Sequence, residues 1–236
     1  MSFRLKDLFP RKWKRRVAEM KRTRHQAALR RIASRGVRIG TVIDVGASDG
    51  RWSAETQHYL DAERYLLIEA NEEHRAKLAE YCAAHPDSDF EIAAASARTG
   101  TIKFDGSDPF GGKAAPDDTT AATEVPAIAL DDVVADRSLP GPYLLKLDTH
   151  GHEVPILDGA QQILSNASLV IIETYVFKIS SEALLFDEMV RLMREKGFGV
   201  ADMSDPLWRP GDKCFWQMDL YFVPLSHPMF SQSIYF

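Results

Sequence analysis

From Thr41 onward, apolar runs of four to six residues alternate with stretches spaced like amphipathic helices. This alternation limits what the chain can fold into. "TVIDV", "RYLLIEA", "FEIAAA", "YLLKLD" and "LVIIET" read as buried strands. "RWSAETQHYL", "NEEHRAKLAEYCAAH" (opened by Asn71), residues 153–164 and "ALLFDEMVRLMREKG" read as helices, the last with Gly197 at its end. "GTIKFDG" is a further strand and "EVPAIAL" an added one. "FGVADM" and "QMDLYFV" are the last two strands. Residues 107–120, rich in Gly, Asp and Pro, read as a loop. Strands alternating with helices imply right-handed crossovers and an α/β fold: a mostly parallel sheet with helices on both faces.

The 236 residues fit one domain with an appendage. Residues 1–38 hold 14 Lys or Arg against two acids, Asp7 and Glu19, a net of +12, so the remaining chain carries −17. We therefore expect a basic helical extension over 1–38 and one domain over 39–236. Pro10 opens a weakly amphipathic helix or helix pair over 10–35, with Trp13, Val17 and Met20 at helical spacing and stops at Gly36 and Gly40. No apolar run approaches the roughly 18 residues of a membrane span, and no apolar segment follows the basic N-terminus as in a secretory signal. Two cysteines, Cys82 and Cys214, fit reduced thiols and a cytoplasmic protein.

"VIDVGASDGRW" holds the first candidate site. Its apolar run ends at Val45, so Gly46–Gly50 is a strand-to-helix loop at the carboxyl end of the first strand. Open α/β sheets bind ligands there. Neither the dinucleotide glycine fingerprint nor a phosphate loop is present. The pattern is D-x-G-x-x-x-G, Asp44, Gly46 and Gly50, with Ala47 and Ser48 between and Asp49 alongside. Acids without a lysine suit a cationic ligand better than a pyrophosphate. Glu69, 19 residues after Gly50, ends the second strand beside Ala70, where an acid can hold ribose hydroxyls. Together these features point to S-adenosylmethionine, with S-adenosylhomocysteine as product.

"YLLKLDTHGHEVPILDGA" is the second. A strand carries Lys146 and Asp148 to its end, then His150, Gly151, His152 and Glu153 follow. The next strand delivers Glu173. With "LLIEAN", "AAASARTGTIKF", "ALDDVV", "VIIET" and "MDLYFVPL", residues 41–225 resemble the FkbM family of methyltransferases. The Lys146-Asp148-Gly151-Glu153 block is the most specific match. The resemblance implies a class I methyltransferase (Rossmann-like) fold with a seven-stranded sheet and O-methylation of hydroxyls in glycans or natural products. It implies that Asp44, Gly46 and Gly50 bind the methionine end, Glu69 the ribose, and Ala94, Ala95 and Ser96 the adenine. His150 stands where an acid or amide is more usual in the family.

Methyl transfer to a hydroxyl calls for a base, and histidine titrates near neutral pH. His150 or His152 is expected in that role, with Asp148, Glu173 and Lys146 orienting it or holding the acceptor. Asp148, His150 and His152 alternate, so an extended segment would place them on one side, where with Glu173 they can ligate a divalent ion. A metal-free base is the favoured reading of the two. The expected acceptor is a sugar hydroxyl of a glycan or glycolipid. Two other readings remain open: a non-catalytic S-adenosylmethionine-binding scaffold recruited through the basic arm, and an RNA methyltransferase. The arm can meet an anionic membrane at its inner face, the core or a second subunit of a homodimer; the acidic core disfavours a nucleic-acid track. The loop 107–120, the helix after Ser180 and the segment 204–216, with Trp208, Arg209 and Trp216, are the expected acceptor walls.

Overall fold

The computed structural model describes residues 22–108, 111–115 and 122–231. The stripe positions Trp13, Val17 and Met20 lie outside these residues, as does much of the 107–120 loop.

The main sheet has seven strands: β1 (Thr41–Val45), β2 (Arg64–Glu69), β3 (Ser88–Ile92), β8 (Tyr143–Leu147), β9 (Ala167–Tyr175), β10 (Phe198–Trp208) and β11 (Phe215–Pro224). Their order is β3-β2-β1-β8-β9-β11-β10, and β11 alone runs antiparallel to its neighbours. The strands between join a second, four-stranded sheet, ordered β4 (Ala94–Ala95), β7 (Thr123–Ile128), β5 (Gly100–Asp105) and β6 (Lys113–Ala114). "EVPAIAL" is thus a strand, but not of the main sheet. "FEIAAA" breaks at Ala93, after which β4 leaves β3 to pair with β7.

Strand alternation sorts the core into two layers. One face carries Ile43, Val45, Leu66, Ile68, Leu145, Leu147, Ile172 and Leu220. It packs on α4 (Leu130–Asp136), α5 (Glu153–Asp158), α6 (Gln161–Ser165) and α7 (Phe186–Glu195). The other carries Val42, Leu67, Leu144, Ile171 and Tyr221. It packs on α1 (His25–Ala33) and on Leu78 and Tyr81 of α3 (Arg75–Ala84). α2 (Arg51–Thr56) follows β1. The single helix expected over 153–164 is two, split at Gly159, where a Cβ would overlap the Ser96 carbonyl. Asp131 accepts from the amides of Gln162 (2.9 Å) and Ile163 (3.0 Å) and so starts α6.

α1 is a core element. Ala28, Leu29 and Ile32, spaced for one helix face, are fully buried among residues of β1, β8, β9 and β11. Arg31 grips Asp202 of β10 through Nε (2.7 Å) and Nη2 (2.8 Å), and Arg35 Nη1 donates to the Ala201 carbonyl. These contacts cover part of β10, the edge strand. Gly36 (φ +76°) ends the segment as expected. Gly40 instead allows close approach, since a Cβ there would meet the Gly141 carbonyl at 2.6 Å. No helix among the described residues is long and apolar enough to cross a membrane.

Candidate active site

Five adjacent strands break their alternation at the same end of the sheet. On the face of Val42, Leu67, Leu144, Ile171 and Tyr221, the next position is charged: Asp44, Glu69, Lys146, Glu173 and Asp219. Parallel register sets Asp44 directly beside Lys146, so two charges inside apolar runs neutralise each other, 3.1 Å apart. Lys146 Nζ also reaches Asp148 at 3.2 Å. Burial opposes the lysine's charge, but Asp148 and Asp44 outweigh it and raise its pKa. Register also sets Glu173 opposite Asp219, and here two acids meet.

Over this row lies a cavity of about 400 Å³ at the carboxyl ends of β1, β2 and β8. Gly46, Ala47 and Ser48 line it, as do Glu69, Ala70, Ala94, Ala95, Lys146, Asp148, His150 and His152. Gly46 (φ +77°) has no room for a side chain, because a Cβ would overlap the Asp148 carbonyl oxygen. Glu69 fastens the loop: Oε2 accepts from the Ser48 amide (2.7 Å) and Oε1 from the Asn71 amide (2.8 Å). Each oxygen keeps further acceptor capacity for a ligand hydroxyl.

Asp44, Gly50, Ser96 and Glu173 do not line the cavity. Asp44 is wholly buried below it, accepting from Ser53 Oγ (2.8 Å) and Lys146. Gly50 (φ +81°) starts α2 against the Tyr81 ring. Asp49 pairs with Arg51 at 2.6 Å. Both loop acids are therefore already neutralised, and the expected acid-to-cation attraction is not what the loop offers. Unpartnered polar atoms point to a ligand instead. Ser48 Oγ and Asn71 Nδ2 belong to cavity residues and are buried without a partner among the described residues. Beside them, Ile68 and Ala93–Ala95 form an apolar wall. Unmet donors, a spare carboxylate and an apolar wall fit S-adenosylmethionine, with its amino-acid end, ribose and purine.

Beyond Asp148, His150 and His152 separate. His150 (φ +52°) and Gly151 (φ +106°) break the extended run. His150 Nδ1 lies 3.3 Å from the Gly112 carbonyl, which only accepts, so Nδ1 carries the hydrogen. Nε2 is then the basic nitrogen, 3.6 Å from Glu173 Oε2 and 3.8 Å from Asp148 Oδ1. His152 turns away to Ser96 Oγ (3.2 Å), and burial lowers its pKa. Glu153 holds the turn, accepting from the Gly151 amide (2.8 Å) and Thr149 Oγ1 (3.2 Å).

The two carboxylates beside His150 differ. Burial pulls Asp148 up, but Lys146 and His150 hold it below the usual range. Burial and the nearby Asp148 push Glu173 up to about 8, against donors from Tyr175 Oη and Gln217 Nε2. Burial and Asp148 likewise push Asp219 to about 7. Asp148, His150 and Glu173 offer ligand atoms within 4.8 Å of one another, close enough to share a divalent ion. The Glu173 oxygen facing His150 is also the one that Tyr175 bonds, so an ion there would compete with that hydroxyl.

Sequence reasoning did not single out Trp52, Asn71, Tyr175, Gln217, Asp219 or His25. Asp219 carries a legible signal, an acid interrupting the apolar run of β11; the others depend on tertiary contact.

The Methyltransferase FkbM domain family matches residues 44–200. The hexuronic acid methyltransferase AglP of Haloferax volcanii is 30% identical over 89 residues, 35% of this chain and 37% of AglP. A methyltransferase FkbM from Methylobacillus flagellatus has a similar structure: TM-score 0.49, 16% identity, 77% of this chain and 43% of that one. The magnesium protoporphyrin IX methyltransferase of Synechocystis, with bound S-adenosylmethionine, gives TM-score 0.46 and 13% identity over 84% of this chain and 77% of its own. The chain thus spans less than half the length of both AglP and the Methylobacillus protein. The family match covers more than half of the chain and includes the glycine loop, Glu69 and the block from Lys146 to Glu153, so this protein belongs to the FkbM family of S-adenosylmethionine-dependent methyltransferases.

Proposed function

We propose that the enzyme methylates a hydroxyl oxygen, that of a sugar in a glycan or glycolipid. The observation that carries this reading is His150: a basic Nε2, fixed by the Gly112 carbonyl, faces Asp148 and Glu173 beside the cavity. The partial likeness to a hexuronic acid methyltransferase supports a sugar acceptor.

Bound in this cavity, S-adenosylmethionine supplies a methyl group on a sulfonium, open to in-line displacement. The Gly46–Ser48 loop holds the methionine end, Glu69 the ribose, and Ala94 and Ala95 the adenine. The acceptor hydroxyl lies at His150 Nε2. His150 Nε2 would take the hydroxyl proton as the acceptor oxygen is methylated. Asp148, kept ionised by Lys146, stabilises the imidazolium. Glu173, protonated near neutral pH, sits behind Asp148 and His150 without adding a second negative charge. Alignment of hydroxyl and methyl supplies much of the rate.

Incubation with methyl-labelled S-adenosylmethionine and a pool of glycans and glycolipids tests this. Label is expected as an alkali-stable methyl ether on sugar. Label confined to amines, carboxylates or RNA contradicts the reading.

A further inference from the structure

The cavity has a second wall, built by α2 and the start of α1. Trp52 lines it, and the indole lies against the reacting end: Lys146 Nζ is 5.1 Å from the ring centroid and 3.2 Å from Asp148. Trp52 Nε1 is buried without a partner among the described residues. A buried indole N–H is normally bonded; this one is closed off within a residue that lines the cavity, so a turn of the ring would bring it to an acceptor atom there. One turn along α2, Glu55 also lines the cavity. Both its oxygens are taken by the start of α1: Oε2 by His25 Nε2 (2.8 Å) and Oε1 by Gln26 Nε2 (2.6 Å). His25 Nδ1 lies 3.4 Å from Asp205, whose carboxylate also accepts from the His25 amide (2.8 Å). Thus α1, outside the matched residues 44–200, is fastened to α2 and β10 and brings His25 into the cavity lining.

We propose that Trp52 is an acceptor-binding residue: its N–H bonds an oxygen next to the one being methylated, while His25 positions α1 as the outer wall. The inference rests on the reading of the protein as a hydroxyl methyltransferase and narrows it. An isolated alcohol places one oxygen at His150 and leaves the indole unmet. A pyranose places one hydroxyl at His150 and its neighbour at Trp52. The acceptor is therefore a vicinally hydroxylated ring.

The test is saturation-transfer NMR of the full chain loaded with S-adenosylhomocysteine, with methyl α-D-glucopyranoside and cyclohexanol as probes. The wild type is expected to saturate the glycoside at least fivefold more than cyclohexanol. Trp52→Phe, which keeps the ring and loses the N–H, should erase that preference and leave the S-adenosylhomocysteine Kd within about threefold. His25→Ala should weaken glycoside contact while keeping the preference. Equal saturation of both probes by the wild type overturns the proposal, as does a preference that survives in Trp52→Phe. A tenfold or greater loss of S-adenosylhomocysteine affinity in Trp52→Phe also overturns it, since the N–H then serves the donor. Failure of the wild type to bind S-adenosylhomocysteine counts against the methyltransferase reading itself.

Discussion

Glu69, the last residue of β2, and Glu173, two residues before the end of β9, lie on the same face of one sheet in opposite circumstances. Glu69 accepts from two backbone amides, those of Ser48 and Asn71, close to it in sequence or across a single strand pair. Glu173 meets Asp219 across the strand and Asp148 alongside, and depends on Tyr175 and Gln217 for donors. The Glu69 end of the cavity is assembled from loop backbone around one carboxylate. The His150 end is a set of carboxylates held together by one lysine and one histidine. A backbone-built end suits binding; a charge-built end is costly to assemble and suits chemistry.

If that contrast holds, the largest effect comes from removing the lysine. Lys146→Met strands Asp44 and Asp148 without a cation in buried surroundings and should cost about 3–5 kcal/mol. Denaturant titration checks this, and a loss under 1 kcal/mol would mean the carboxylates are hydrated or protonated instead. Next is the histidine pair. His150→Ala should lower kcat by about 10² to 10⁴ with donor affinity nearly unchanged, whereas His152→Ala stays within about tenfold. Equal losses would erase the distinction drawn from their different partners.

A smaller effect concerns pH. Glu173 holds its proton up to about 8, against an ordinary 4.5, and Asp219 up to about 7, against 3.8. A carboxyl raised in the folded state favours folding most below its ordinary value, and that contribution fades as pH rises through the folded value. Stability should therefore fall between about pH 4.5 and pH 8. Glu173→Gln should flatten the upper part of that fall, read as melting temperature against pH; an unchanged slope would place the proton elsewhere. Smallest is chelation. With His150 as base, EDTA followed by desalting should leave turnover within about twofold, and loss of activity restored by Mg²⁺ or Mn²⁺ would make the triad a metal site instead.

The sequence was legible where information is local. Gly46, Ser48 and Glu69 sit in a strand–loop–helix pattern that reads directly, and the apolar runs of β1, β8 and β9 announce a buried parallel sheet. Lys146 and Asp44 each interrupt such a run, but only parallel register makes them partners. His150 and His152 looked equivalent because alternation assumes an extended chain; the left-handed turn at His150 and Gly151 parts them. The second sheet was hidden because β4 and β6 are two residues each. Trp52 and His25 gave no signal, since their roles arise from α1 packing across α2 and β10.

The central claim is that this cavity holds S-adenosylmethionine through Glu69, and calorimetric titration of S-adenosylhomocysteine into wild type and Glu69→Ala tests it most directly. The account predicts a micromolar Kd for the wild type, weakened at least tenfold, about 1.4 kcal/mol, in a variant that remains folded. Equal binding by the two proteins, or none by the folded wild type, would contradict it.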